Sequence, residues 1–131
     1  MTDRQTLLEY RIKQGEATLA DAEKMLAGGL SPRSIVNRAY YATFYSVLAL
    51  FLHADLAVRT AKHSGVIAIF DKEFILSGKL DKRLSRNLHA LFDDRQEFDY
   101  KELVEVSQED AAAAVDSARD FIESIIKHIR A

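Results

Sequence analysis

Ser31-Pro-Arg-Ser-Ile-Val-Asn-Arg-Ala-Tyr-Tyr-Ala-Thr-Phe-Tyr-Ser-Val-Leu-Ala-Leu-Phe-Leu-His53 reads as the central helix of a bundle. Ser31 reads as an N-cap and Pro32 as the first helical residue, where its missing N–H costs nothing. From there Tyr40, Tyr41, Phe44, Tyr45, Val47, Leu48, Phe51 and Leu52 cover a broad apolar arc. Ala39, Ala42, Ser46 and Ala49 form a separate stripe of small side chains. A helix apolar on so many sides belongs at the centre of a bundle, with neighbours on two flanks. The small stripe admits one of them, or a second subunit, at close range. Asn37 projects into the aromatic arc and needs a polar partner there.

Four more helical segments surround it. The first runs from an N-cap at Asp3 to Ala27, with Leu8, Ile12, Leu19, Ala22 and Leu26 on one face. Gly15 lies on that stripe and indicates a close backbone approach. Gly28-Gly29 ends the helix. Thr60 reads as the cap of a third helix through Ser77, with His63, Ile67, Phe70 and Phe74 inward and Gly78 after its end. The fourth starts near Asp81 and stops around Asp99-Tyr100. Ser107-Gln-Glu-Asp110 resembles an N-cap followed by an acidic first turn. The fifth helix then runs to the C-terminus on a seam of Val115, Ala118, Ile122, Ile125 and Ile129. The expected fold is all-α, an antiparallel bundle of four to five helices with short connections.

Composition bounds the rest. A chain of 131 residues is one domain by default, here 1–131, and can bury roughly two-thirds of its unfolded surface. With no cysteine, disulfides and thiolate metal sites are excluded. The net charge of −2 provides no global basic field, so any nucleic-acid contact is local. No uninterrupted apolar run is long enough to span a membrane, and Met1-Thr-Asp-Arg-Gln5 lacks a signal-peptide layout. A cytoplasmic protein without membrane contact is the expectation.

One charge stands in the wrong place. Leu84, Leu88, Leu91 and Phe98 form the apolar seam of the fourth helix, and at about 100° per residue Arg95 falls in its middle. A guanidinium there needs a carboxylate, another acceptor or a water pocket. Asp99, one turn on, is the nearest partner. Arg95 with Asp99 and Tyr100 therefore reads in two ways. One is an ion pair that closes the helix end. The other is a phosphate-binding Arg with a phenol beside it. His63 reads either as a neutral histidine at the core edge or as a site residue facing Arg95 across the bundle. Tyr40, Tyr41 and Tyr45 read as core packing with one wet hydroxyl each. Arg38 shares a face with Tyr45 and could rim a pocket beside them. No histidines stand at ligand spacing with a carboxylate, so no metal and no cofactor is expected.

Asn37-Arg-Ala-Tyr-Tyr-Ala-Thr-Phe-Tyr45, Lys62-His-Ser-Gly-Val66 and Arg95-Gln-Glu-Phe-Asp-Tyr100 together resemble the HEPN domain (higher eukaryotes and prokaryotes nucleotide-binding). The closer resemblance is to its small single-domain prokaryotic proteins, and it covers nearly the whole chain. It implies a dimerising helical bundle with a nucleotide- or RNA-related role. It also implies a minimal nucleotidyltransferase as partner, in a toxin–antitoxin or defence-type pair. Active ribonucleases of this kind are metal-independent and use an Arg followed a few residues later by a His, two such motifs meeting at a dimer cleft. Arg95 matches the Arg, whereas Tyr100 stands where the His is expected. A phenol with a pKa near 10 is a poor general base at neutral pH. The expected function is thus a nucleotide-, RNA- or partner-binding module. Its ligand-binding residues would be Arg95, Asp99, Tyr100, His63, Arg38 and Tyr41. A metal-independent endoribonuclease using Arg95 with Tyr100 or His63 is the first alternative, and a structural dimer partner without ligand is the second.

Overall fold

Helix α2, Pro32–His53, is the axis around which the other helices pack. The computed structural model describes residues 2–60, 62–100 and 104–131, with the side chains of 98–100 outside the description. No strand occurs among the described residues. α1 spans Asp3–Ala27, α3 His63–Phe70, α4 Lys82–Tyr100 and α5 Gln108–Arg130. α2 packs against α1, α5 and α4, and α5 also touches α1 and α4. Twelve residues of α2 are buried, from Ile35 to Phe51, on nearly every side of the helix. An 18-residue window of α2 has a mean hydropathy of 1.2, enough in length and composition to cross a membrane. Here 67% of that window is covered by the bundle, so its apolar character is spent on the core.

The helix ends follow local chemistry. Ser31 caps α2 through Ser34 N–H, and Pro32 occupies its first turn. Ser107 caps α5 in a reciprocal box with Asp110. α1 is capped one residue earlier than its sequence indicates. Thr2 accepts from Gln5 N–H, and the Gln5 side chain accepts from Thr2 N–H, leaving Asp3 inside the first turn. Gly29 and Gly78 both adopt positive φ (66° and 79°), which lets the chain leave α1 and the third helical segment sharply.

The third segment departs from expectation. Thr60 does not cap it. α3 begins at His63 behind Lys62, and Thr60 Oγ1 instead accepts from Lys62 N–H at 3.2 Å. Thr60 also lies against Gly65, where an added Cβ would sit 2.8 Å from Thr60 Cγ2. After Phe70 the helix widens into a π-turn, Asp71–Ile75. That turn keeps Phe74 buried against Phe51 and Phe70. It also sets Asp71 where its carboxylate accepts from Ser85 Oγ (2.7 Å) and meets His89 Nε2 (2.6 Å) on α4. The small stripe of α2 resolves in favour of a helix of the same chain. Gly15 of α1 lies over Ala42 and Ser46, 3.2 Å from Ala42 O to an added Cβ.

Candidate functional site

Tyr40 and Tyr41 are neighbours in sequence and point to different sides of α2. Tyr40 is wholly buried and Tyr41 half-buried. Their rings meet edge to face at 5.3 Å, a favoured aromatic geometry. Arg95, arriving from α4, lays its guanidinium across both. Its Cζ is 5.6 Å from the Tyr40 ring centroid and 5.4 Å from that of Tyr41. Its Nη2 donates to the Tyr41 hydroxyl at 3.0 Å. The misplaced charge of the fourth helix therefore sits half-buried in a recess between α4 and α2, against aromatic faces and a phenol oxygen.

His63, the first residue of α3, enters the same recess from the opposite side. Its ring stacks on Phe44 at 4.2 Å and 28°. It stands edge-on to Tyr41 at 5.8 Å, and its Nδ1 is 2.8 Å from the Tyr40 hydroxyl. Burial, and after it the Arg95 charge, hold His63 below the ordinary histidine pKa, so the neutral imidazole is favoured. The start of a helix adds to this, because its dipole disfavours a cation there. Burial also pushes the Tyr40 phenol well above its usual range, with Arg95 opposing and Tyr41 adding to the rise. Tyr40 thus keeps its proton throughout the physiological range.

Three of the sequence-derived site residues, Arg95, His63 and Tyr41, meet on one pair of rings. Arg38 does not join them. It lines a separate shallow cleft of about 260 Å³ with Arg33, Ser34 and Asn37 at the start of α2. There Arg33 donates to the Val104 carbonyl, which ties the approach to α5 onto α2. The Asp99 and Tyr100 side chains lie outside the described residues. Tyr40 and Phe44 also belong to the recess, with no mark of it in the sequence beyond their spacing of four residues on one helical face. Both appear as ordinary core aromatics, and only their contact with His63 gives them a part in the recess.

The other ionisable groups are disposed differently. Asp94 is half-buried, and burial raises its carboxyl above the ordinary value, with Asp110, Glu97 and Asp93 adding in that order. Asp93 and Glu97 are exposed. His53 is exposed, while His128 packs edge-on to Phe74 and His53. Among the described residues, no three His, Asp or Glu side chains converge as metal ligands would.

A family model described as HEPN domain matches residues 8–129. A UPF0332 protein of Thermotoga maritima is 38% identical over 129 residues, covering 98% of this chain and 96% of the relative. Two proteins of Methanocaldococcus jannaschii are each 31% identical. "Putative toxin MJ0142" matches 93% of this chain and 81% of its own length, and "Putative toxin MJ0605" matches 83% and 79%.

Proposed function

This chain belongs to the HEPN domain family, and from that premise we propose that it is a binding module of a toxin–antitoxin-type pair. Its Arg95 recess takes the phosphate of a nucleotide or an RNA. Relatives whose names carry the word toxin support the coarser part of this reading. The observation that carries the finer part is the placement of Arg95 over Tyr40 and Tyr41 with His63 on the same rings. A permanently charged fork beside aromatic faces suits a phosphate and a stacked base. A minimal nucleotidyltransferase is the proposed partner in the pair. A homodimer is proposed across the half-buried face of α2 that carries Tyr41, Tyr45 and Leu48.

The juxtaposition of His63 and Arg95 favours one second reading, a metal-independent endoribonuclease with Arg95 on the phosphate. One experiment separates the two. The purified protein is incubated with RNA in EDTA, and binding of AMP and of an RNA oligonucleotide is measured by calorimetry. Arg95→Ala is run in parallel, its folding checked by circular dichroism. Binding without cleavage, lost in folded Arg95→Ala, is the expected result. Cleavage in EDTA that Arg95→Ala removes would establish the enzyme instead. Unchanged binding in Arg95→Ala would refute the recess as the site.

A further inference from the structure

The protons at the recess can be placed one by one. Tyr40 is fully buried, and its hydroxyl has one hydrogen-bond partner among the described residues, His63 Nδ1. If Nδ1 carried the proton, the Tyr40 O–H would be a buried donor facing no acceptor, which folded proteins avoid. The Tyr40 O–H therefore donates to Nδ1, and the imidazole proton lies on Nε2. Nε2 makes no hydrogen bond to a described residue. Tyr41 is settled in the same way. Its oxygen accepts from Arg95 Nη2, which leaves its own O–H to donate elsewhere. The guanidinium of Arg95 has only donors.

We infer that Tyr40 locks His63 as the neutral Nε2–H tautomer, so that His63 serves the recess as a donor toward a phosphate-class anion and not as a general base. The inference rests on the Arg95 recess being the ligand site and adds the role of His63. A phosphate group offers mainly acceptor oxygens at neutral pH, which suits a neutral N–H donor beside a guanidinium. A general base at His63 would need a free ring-nitrogen lone pair, but Nδ1 gives its own to the Tyr40 O–H and Nε2 carries the proton. The reduced pKa of His63 agrees, because a second cation beside Arg95 is disfavoured while a neutral N–H is not.

The test uses the full chain labelled with ¹⁵N-histidine, with the His63 signals assigned by their loss in His63→Gln. A two-bond ¹H–¹⁵N correlation at pH 7 is expected to show Nε2 protonated and Nδ1 bare. Tyr40→Phe is expected to relax this to a mixture of tautomers. A protonated Nδ1, or an imidazolium, in the wild type would overturn the lock. AMP and inorganic phosphate are then titrated, with adenosine as the control. Both anions are expected to move the Nε2–H signal, and adenosine is not. Gln places an amide N–H near the Nε2 position. AMP affinity in His63→Gln should therefore stay within about threefold of wild type, while His63→Ala loses about tenfold, the worth of one good hydrogen bond. Equal losses in both variants, or equal shifts with adenosine and AMP, would overturn the anion assignment. Failure of the underlying site reading looks different: AMP binding would then be indifferent to Arg95→Ala, whatever tautomer His63 adopts.

Discussion

Replacing Gly15 by alanine tests the packing that sets α2 in its place. In an open helical position this change is favourable by about 0.5–1 kcal/mol, because glycine loses more backbone entropy on folding. Gly15 is buried at the α1–α2 contact. A Cβ built there lies 3.2 Å from the Ala42 carbonyl oxygen, 3.7 Å from Ser46 N and 3.8 Å from Tyr45 Cβ. The tightest of these neighbours is backbone in the middle of a regular helix and cannot swing away as a side-chain tip can. α1 and α2 must therefore separate by a few tenths of an ångström, and overpacking of that kind costs about 1–3 kcal/mol. The two terms leave a net destabilisation of about 1 kcal/mol. For a chain of this length that lowers Tm by about 3–5 °C. Thermal and urea unfolding followed by circular dichroism would measure it, with Ala17→Gly, exposed on the same helix, as the propensity control. A Gly15→Ala variant that melts above the wild type would refute the close approach. The separation should also be felt at the recess, because Tyr45 lies at the same contact and its ring neighbours Tyr41 at 6.2 Å.

Three further outcomes are expected. Asp94→Asn should raise the urea midpoint at pH 7, because burial and neighbouring carboxylates raise this group's folded pKa above its unfolded value of 3.8. A raised carboxyl pKa is a cost at neutral pH that vanishes as both states take up the proton, so the advantage should be gone below pH 3.8; an advantage that persists there would contradict the electrostatic cause. His63 has the opposite sign. Its folded pKa is lowered, so the unfolded state takes up the proton first and stability falls as the pH drops below about 6.5. Part of the slope of urea midpoint against pH below that value should disappear in His63→Ala, and identical slopes would show that His63 is not held neutral. The proposed homodimer, resting on the apolar face of α2, should survive 1 M NaCl in sedimentation velocity, where screening reaches within about 3 Å; dissociation at that salt would point to ion pairs instead.

Local periodicity alone already carried much of the fold. The span of α2, the caps at Ser31 and Ser107, the buried seam of α5 and the close approach at Gly15 all follow from neighbours within a turn or two. The same rule picked out Arg95 as a charge on an apolar seam. It failed at Thr60, where a hydroxyl expected to start a helix bonds Lys62 N–H outside it, and at the π-turn after Phe70, which no periodicity announces. Which residues share the recess follows from packing across the bundle. Tyr40 and His63 are 23 positions apart, and Tyr41 and Arg95 are 54. Their meeting depends on how α3 and α4 lean on α2, an outcome of side-chain packing summed over the whole core. Arg38, on the same helix as Tyr41 and legible as its companion, lies in another cleft for that reason. The proton on His63 is a step further from the sequence: it is fixed by the burial of a tyrosine, which no single helix can produce.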